Sequence, residues 1–359
     1  MIKTPLKFIA LLSGAVLFAS SGFAQTVATD PVGYVTLTVN GSPDGVQTAY
    51  TPLSLSLEKV VLASGALSEV PTSAVATDSS ASYTPGEFAG TDASGNATHY
   101  LQFSSDGLIV DIIANDATTI TAGTDLTGLA TSGDAYVVKE HSTIADVFGA
   151  ANEAGLTAGA NSTASDLLYI MSSDGAGVFA TYFVQDDPTS PADVLGGDGW
   201  RKVGAVNSLD QSDVVIGPDD GIILARGVTG DIDIVVSGSV NVIDHQRDLP
   251  AGFSMVSYPY PVDVTLDDSN IYTASNGYVS GANSSASDLV YVLGSDGLYA
   301  TYFHQDDPTS PADVLGGDGW RQVGQPNNAD KGSVVIPAGS SIIIQHTGAG
   351  LAWADVKPF

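Results

Sequence analysis

The chain has 359 residues, 40 acidic side chains against 11 basic ones, a net charge of −29 and no cysteine. A field of that sign repels nucleic acid and anionic lipid, so neither is expected as a partner. With no thiols there is no disulfide framework, and the fold is expected to rest on burial and hydrogen bonds.

The first residues read MIKTPLKFIALLSGAVLFASSGFAQ, with Lys3 and Lys7 ahead of an apolar run from Phe8 to Phe18 and small residues up to Ala24. This is the pattern of a secretory signal peptide over 1–24, cleaved after Ala24, which directs the protein to the periplasm, the cell surface or the medium. The apolar run is shorter than the roughly 20 residues a membrane helix needs, and no second run follows, so membrane insertion is not expected. Only Glu58, Glu69, Glu87, Glu140 and Glu153 are glutamates, and every other acid is Asp. Asp is poor in helices but suits turns and the oxygen shell of hard cations.

Residues 25–135 read as an N-terminal β domain with a loop-rich insertion. GYVTLTV from Gly33 resembles GSVNV from Gly238, and TPLSLSL from Thr51 matches the strand near Tyr258, as in a diverged partial copy. Ser68 to Thr98 is rich in Ser, Thr, Gly and Pro and reads mostly as loop. HYLQFSSDGLIVDII from His99 reads as a hairpin turning at Ser104 to Gly107.

Two β repeats follow, 136–257 and 258–359. NSTASDLLYIMSSDG from Asn161 pairs with NSSASDLVYVLGSDG from Asn283, and ATYFVQDDPTSPADVLGGDGWR from Ala180 returns at Ala300 with His304 in place of Val184. Leu167 to Met171, Leu289 to Leu293, Ala180 to Phe183, Val214 to Ile216 and Ile222 to Leu224 are short strand-forming runs closed by turn residues. Ile232 to Val236 and Ser239 to Ile243 flank Gly238 as a hairpin or bulged pair would. Only Ser142 to Leu156 looks helical, with Ser142 as N-cap. The pattern predicts an all-β fold of tandem sandwiches or open barrels, with internal duplication and one short helix.

In order along the chain stand DPVGYVTL, STIADVF, SDLLYI, ATYF, GWRKVG and SDVVIGPDDGIIL. This series resembles an uncharacterised family of exported bacterial proteins with a DPVGYV-type mature N-terminus, a Tyr strand, a Trp-Arg strand and a late Pro-Gly turn. The resemblance implies architecture and no particular chemistry.

The repeated loop carries Asp186, Asp187, Asp193 and Asp198, matched by Asp306, Asp307, Asp313 and Asp318. Two readings stand. Calcium takes 6 to 8 oxygens from carboxylates and carbonyls on a compact loop, and four Asp with Thr189 and Ser190 offer several. Alternatively each Asp, Pro and Gly serves a turn. Trp200 and Trp320, with Tyr182 and Tyr302 across the hairpin, form either an aromatic platform for an extracellular glycan or a core-facing cross-strand pair. Arg201 and Arg321, among so many carboxylates, are expected to bond internally.

No thiol nucleophile, G-x-S-x-G elbow, H-E-x-x-H helix or P-loop is present, and His304 is valine in the other copy, so no enzyme is expected. A terminal Phe359 is common in outer-membrane barrels, but Pro358 and strands shorter than about 9 residues oppose that reading. Phe359 is expected to close a core instead. The sequence thus predicts an exported structural or adhesive β protein engaging itself or a glycan, with a calcium-dependent carbohydrate-binding module as the alternative.

Overall fold

The computed structural model describes residues 31–172, 175–186, 197–205, 209–293, 298–306, 317–325 and 330–358. The segment 1–24 read as a signal peptide, Asp187, Asp193, Asp307, Asp313 and Phe359 lie outside these. In chain order the strands are β1 (Val32–Val39), β2 (Ala49–Ser54), β3 (Leu57–Glu58), β4 (Ala63–Ala66), β5 (Val75–Thr77), β6 (His99–Phe103), β7 (Ile109–Asn115), β8 (Thr119–Ala122), β9 (Ala135–Glu140) and β10 (Ser142–Thr143). After the helix α1 (Ile144–Phe148) come β11 (Leu167–Met171), β12 (Phe179–Gln185), β13 (Gly199–Lys202), β14 (Val215–Ile216), β15 (Gly221–Arg226) and β16 (Ile232–Val240). The chain closes with β17 (His245–Ser257), β18 (Val264–Thr265), β19 (Leu289–Leu293), β20 (Tyr299–Gln305), β21 (Gly319–Gln322), β22 (Val335–Ile336) and β23 (Ser341–Asp355). The fold is nearly all β, as the alternating short runs predict.

The duplication is visible in strand pairing. One five-stranded sheet runs β13-β12-β11-β15-β2 and the other β21-β20-β19-β23-β17. Ser54 opposes Gly221 in the first sheet as Ser257 opposes Ser341 in the second. The first part of β17 therefore corresponds to β1 and its last part to β2, while β23 corresponds to β15 and β16 run together. Residues 32–58 and 142–240 share one core around Trp200, Leu224 and Ile234, and residues 245–355 build the matching core around Trp320, Ile344 and Trp353. Between β3 and β10 the first unit receives an insert, a six-stranded sheet β4-β9-β6-β7-β8-β5 with its own core around Phe103, Ile112 and Val138. Within it the hairpin of β6 and β7 turns through 104–107, as its Ser-Asp-Gly chemistry requires. The segmentation at 135/136 groups β1 to β3 with the insert, whereas β1 and β2 pair with β16 and β15.

The two duplicated units meet through reciprocal contacts. Ser54 N donates to Gly339 O at 2.9 Å, and the corresponding Ser257 N donates to Asp219 O at 3.0 Å. Equivalent groups exchanging roles in this way define a local pseudo-twofold relation, the intrachain analogue of an isologous dimer contact.

Two local expectations are corrected. The helix covers only Ile144–Phe148: Thr143, not Ser142, caps it, forming a capping box with Asp146, and Gly149 ends it at φ 87°. Ser142 is committed to β10 opposite Ile216. Gly238 does not separate two strands; it lies inside β16 opposite Gly33, and the rest of GYVTLTV pairs with the residues before Gly238. A Cβ on Gly238 would stand 2.6 Å from Glu58 O, so glycine is what lets β3 approach.

The insert is keyed to the second duplicated unit at Gly107. Its carbonyl accepts from Gln246 N at 3.1 Å, its φ is +78°, and an added Cβ would stand 1.6 Å from Asp244 O. Gly107→Ala is expected to cost about 1–3 kcal/mol through strain and overpacking. Faster hydrogen exchange at the Gln246 amide, together with a lower melting temperature, would register it.

At the end of β23, Asp355 is 2% exposed, with neither carboxylate oxygen hydrogen-bonded among the described residues. Burial holds its carboxyl well above the usual carboxylate range, and the Trp353 and Asn270 side chains offset only part of this. A raised folded value means that the native state binds the proton more tightly. The stability linked to it is complete below the unfolded value of about 3.9 and is lost as pH rises towards the folded value. Asp355→Asn should therefore raise the melting temperature at pH 7, with the gain shrinking as pH falls towards about 4. Melts at a series of pH values check the sign.

Candidate functional site

The repeated loops end in the strands β13 and β21, which carry the Trp-Arg pairs. Period-two alternation would turn Trp and Arg to opposite faces, yet Trp200, Arg201, Trp320 and Arg321 are all buried. Arg201 Nη1 donates to Trp200 O at 2.8 Å, and its Nη2 donates to Gly197 O at 2.8 Å and Asp198 O at 3.1 Å. Arg321 repeats this with Trp320 O at 2.8 Å, Gly317 O at 2.6 Å and Asp318 O at 3.4 Å. Each guanidinium also faces an acid, Asp210 at 3.9 Å and Asp330 at 3.3 Å. The positive charge drawing loop carbonyls together at this end is thus a guanidinium, whose planar fork suits several acceptors at once.

Of the eight loop aspartates, Asp186, Asp198, Asp306 and Asp318 are described, and all four are exposed. Asp186 N donates to Gly159 O and Asp306 N to Gly281 O, fixing the loop's entry identically in both copies. Among the described residues no three His, Asp or Glu side chains are grouped to hold a metal ion.

The aromatic residues set out as a glycan platform are internal. Trp200 is 0% exposed and Trp320 2%, with Tyr182 and Tyr302 also buried. Trp200 lies 5.7 Å from Phe148 between ring centroids and donates Nε1 to Gly149 O at 2.9 Å. Trp320 meets Tyr278 and His304 edge to face, and His304 stacks on Tyr272 at 3.4 Å. Histidine in the second copy thus adds a ring to the core where valine stands in the first, and burial lowers its proton affinity.

A site without a sequence motif lies where the three units meet. A cleft of about 1020 Å³ has an apolar side built from Leu108, Val110, Ile170, Phe179 and Val215. Its polar side carries His141 Nε2 on Asp111 Oδ1 at 3.0 Å, and Arg247 with Nε 3.2 Å from Asp219 Oδ2 and Nη2 3.4 Å from Asp220 Oδ1. Asp220 also accepts from Gly217 N at 2.9 Å. Burial raises its carboxyl above the usual range; Arg247 opposes the rise and Asp219 adds to it. Lys202 stands over the Tyr182 ring at 5.9 Å. Apolar contact beside convergent donors and acceptors is the composition of a small-ligand site. The sequence signal was faint: Arg247 is one of few cations, and Pro218-Asp219-Asp220-Gly221 reads as a turn. Comparison with family models, with curated proteins and with solved structures found no match to this chain.

Proposed function

We propose that the protein is a non-enzymatic structural or adhesive β protein, exported to the cell envelope or a secreted matrix, that assembles with further copies of itself. The observation that supports this most is the edge of the sheet ordered β1-β16-β3. Strand β1 pairs on one side only among the described residues, over eight residues in regular register, and Val32 and Tyr34 are about three-quarters exposed. Beside them Val235 is also exposed. A long edge with apolar side chains, left uncovered among the described residues, is a template for strand addition. Sedimentation velocity at rising micromolar concentration tests it: mass-action association is expected, and Tyr34→Lys should leave a monomer, because edge lysines block pairing. A chain that stays monomeric throughout would sink the assembly reading.

A second reading, carbohydrate binding, draws on the cleft rather than on the buried aromatic residues. Asp111, Asp219, Asp220 and Arg247 supply the acceptors and donors that hydroxyl groups need. Glycan-array binding lost in Lys202→Ala or Asp111→Ala protein would favour it. Melts with calcium and with chelator separate the calcium-dependent form: a shift would assign the repeated loops to the ion, and coincident melts would assign the aspartates to turns.

A further inference from the structure

Lys139, Glu58 and Gln102 meet in a buried site between the insert and the first duplicated unit, at 4%, 6% and 0% exposure. The register places them. Tyr100 opposes Lys139 and Gln102 opposes Val137, so Lys139 on β9 and Gln102 on β6 are diagonal neighbours on one face of the sheet. Glu58, from β3 of the other unit, reaches that face from outside. Lys139 Nζ donates to Glu58 Oε2 and, at 3.1 Å, to Gln102 Oε1. The carboxamide carbon is one C=O bond, about 1.2 Å, beyond that oxygen. Among the described residues the buried Gln102 Nε2 has no hydrogen-bond acceptor, and the nearby hydroxyl of Tyr100 is likewise unpartnered. His245, fully buried, feels both Glu58 and Lys139, along with Asp219 and Arg247.

A buried amine, an amide carbonyl in its reach, a carboxylate on the amine and an unbound amide nitrogen are the components of an acyl transfer. We infer that Lys139 and Gln102 become joined by an isopeptide bond, with Glu58 relaying the proton. The ammonium of Lys139 gives one proton to Glu58, and the freed lone pair on Nζ attacks Cδ of Gln102. Glu58 then moves a proton from the attacking nitrogen to Nε2, and the Cδ–Nε2 bond breaks. The new bond is Nζ–Cδ; the departing ammonia takes the proton left on Glu58 and leaves as ammonium, and nothing is oxidised or reduced. The three groups are held together by the fold, so the attack is intramolecular and needs no further reactant. The product removes the orphaned Nε2 donor, while Glu58 exchanges an ammonium partner for a neutral amide N–H.

The bond would close residues 102–139 into a covalent loop across two paired strands. In a chain without cysteine that is the constraint a disulfide would otherwise supply. It is independent of whether the cleft binds a glycan or the β1 edge assembles. Intact mass spectrometry of the purified full chain, with its N-terminus read from the same digest, decides. The expected mass is lighter than the sequence by one ammonia, with a branched peptide joining the segments of Gln102 and Lys139, and both signs vanish in Lys139→Met. A mass equal to the sequence with no branched peptide overturns the bond. A loss of one water with a branch from Lys139 to Glu58 overturns Gln102 as acceptor. Glu58→Gln that folds by circular dichroism should lack the bond, and a cross-linked Glu58→Gln chain overturns the relay. Should that variant not fold, Glu58→Asp should form the bond at least tenfold more slowly, and an unchanged rate overturns the relay equally.

Discussion

Replacing Asp166 by alanine is expected to lower the stability of the first duplicated unit by about 3–5 kcal/mol, the range found when one partner of a buried ion pair is removed. Asp166 Oδ2 accepts from Arg226 Nη1 at 2.5 Å and from Thr157 N at 2.8 Å, and the two side chains are 1% and 9% exposed. Alanine would leave a guanidinium without its counterion and a backbone donor without its acceptor. The second unit keeps the carboxylate and changes the partner. Asp288 accepts from His346 Nδ1 at 2.7 Å, from Thr347 N at 2.7 Å and from Val279 N at 2.8 Å. The retained feature is an aspartate tying the loop before the Tyr strand to the far end of β15 or of its counterpart in β23. Double substitution to Asp166→Leu/Arg226→Met should recover most of the loss, because apolar groups of similar volume replace a buried pair at little net cost. Urea denaturation of the three proteins measures this. A single variant as stable as the parent would mean that the pair is hydrated in solution.

What was legible in the sequence is local. The 104–107 hairpin turn, the short strands of the duplicated units and the all-β class follow from turn residues and alternation over a few positions. The helix was overextended because an Ala-rich stretch satisfies propensity, while Gly149 at positive φ and the Thr143–Asp146 box set its true ends. Pairing between distant segments left no such mark. GYVTLTV and GSVNV look alike over a few positions, yet β1 pairs with the residues before Gly238, and likeness of that kind does not reveal which segments pair.

Contacts between units were the hardest to read. Alternation along β9 puts Tyr136 and Val138 on the insert's core face and leaves Val137 and Lys139 to the other, which reads as solvent-facing. Glu58 covers that second face. The available signal was scarcity: a chain with few cations places them, as Arg201, Arg226, Arg247 and Arg321 all show by facing acids. Lys139 inside the strand run YVVKE, and Glu58 inside SLSLEK, carried the same hint.

Trp200→Ala is expected to cost about 3–5 kcal/mol, as large-to-small changes of buried tryptophan do, and Trp320→Ala a similar amount. The argument is geometric. Trp200 is fully buried, packs on Phe148 and belongs to the same core as Leu168, Tyr182 and Ile216. Removing its ring opens a cavity that strands on several sides cannot close without breaking their ladders, so relaxation recovers little. Trp200→Phe isolates the polar part, since it keeps an aromatic ring against Phe148 and loses the Nε1 bond to Gly149 O, worth about 1 kcal/mol. Gly149 ends α1, so that bond also anchors the short helix, and the Phe variant should show faster exchange at the Gly149 amide, which donates to Ala145 O at 2.9 Å. Two-state denaturation curves and glycan binding measured on the same samples distinguish a core residue from a platform. A core residue lowers the denaturation midpoint and leaves the affinity of the folded fraction intact. A platform residue does the reverse, and that outcome would require the sheet β13-β12-β11-β15-β2 to open in solution.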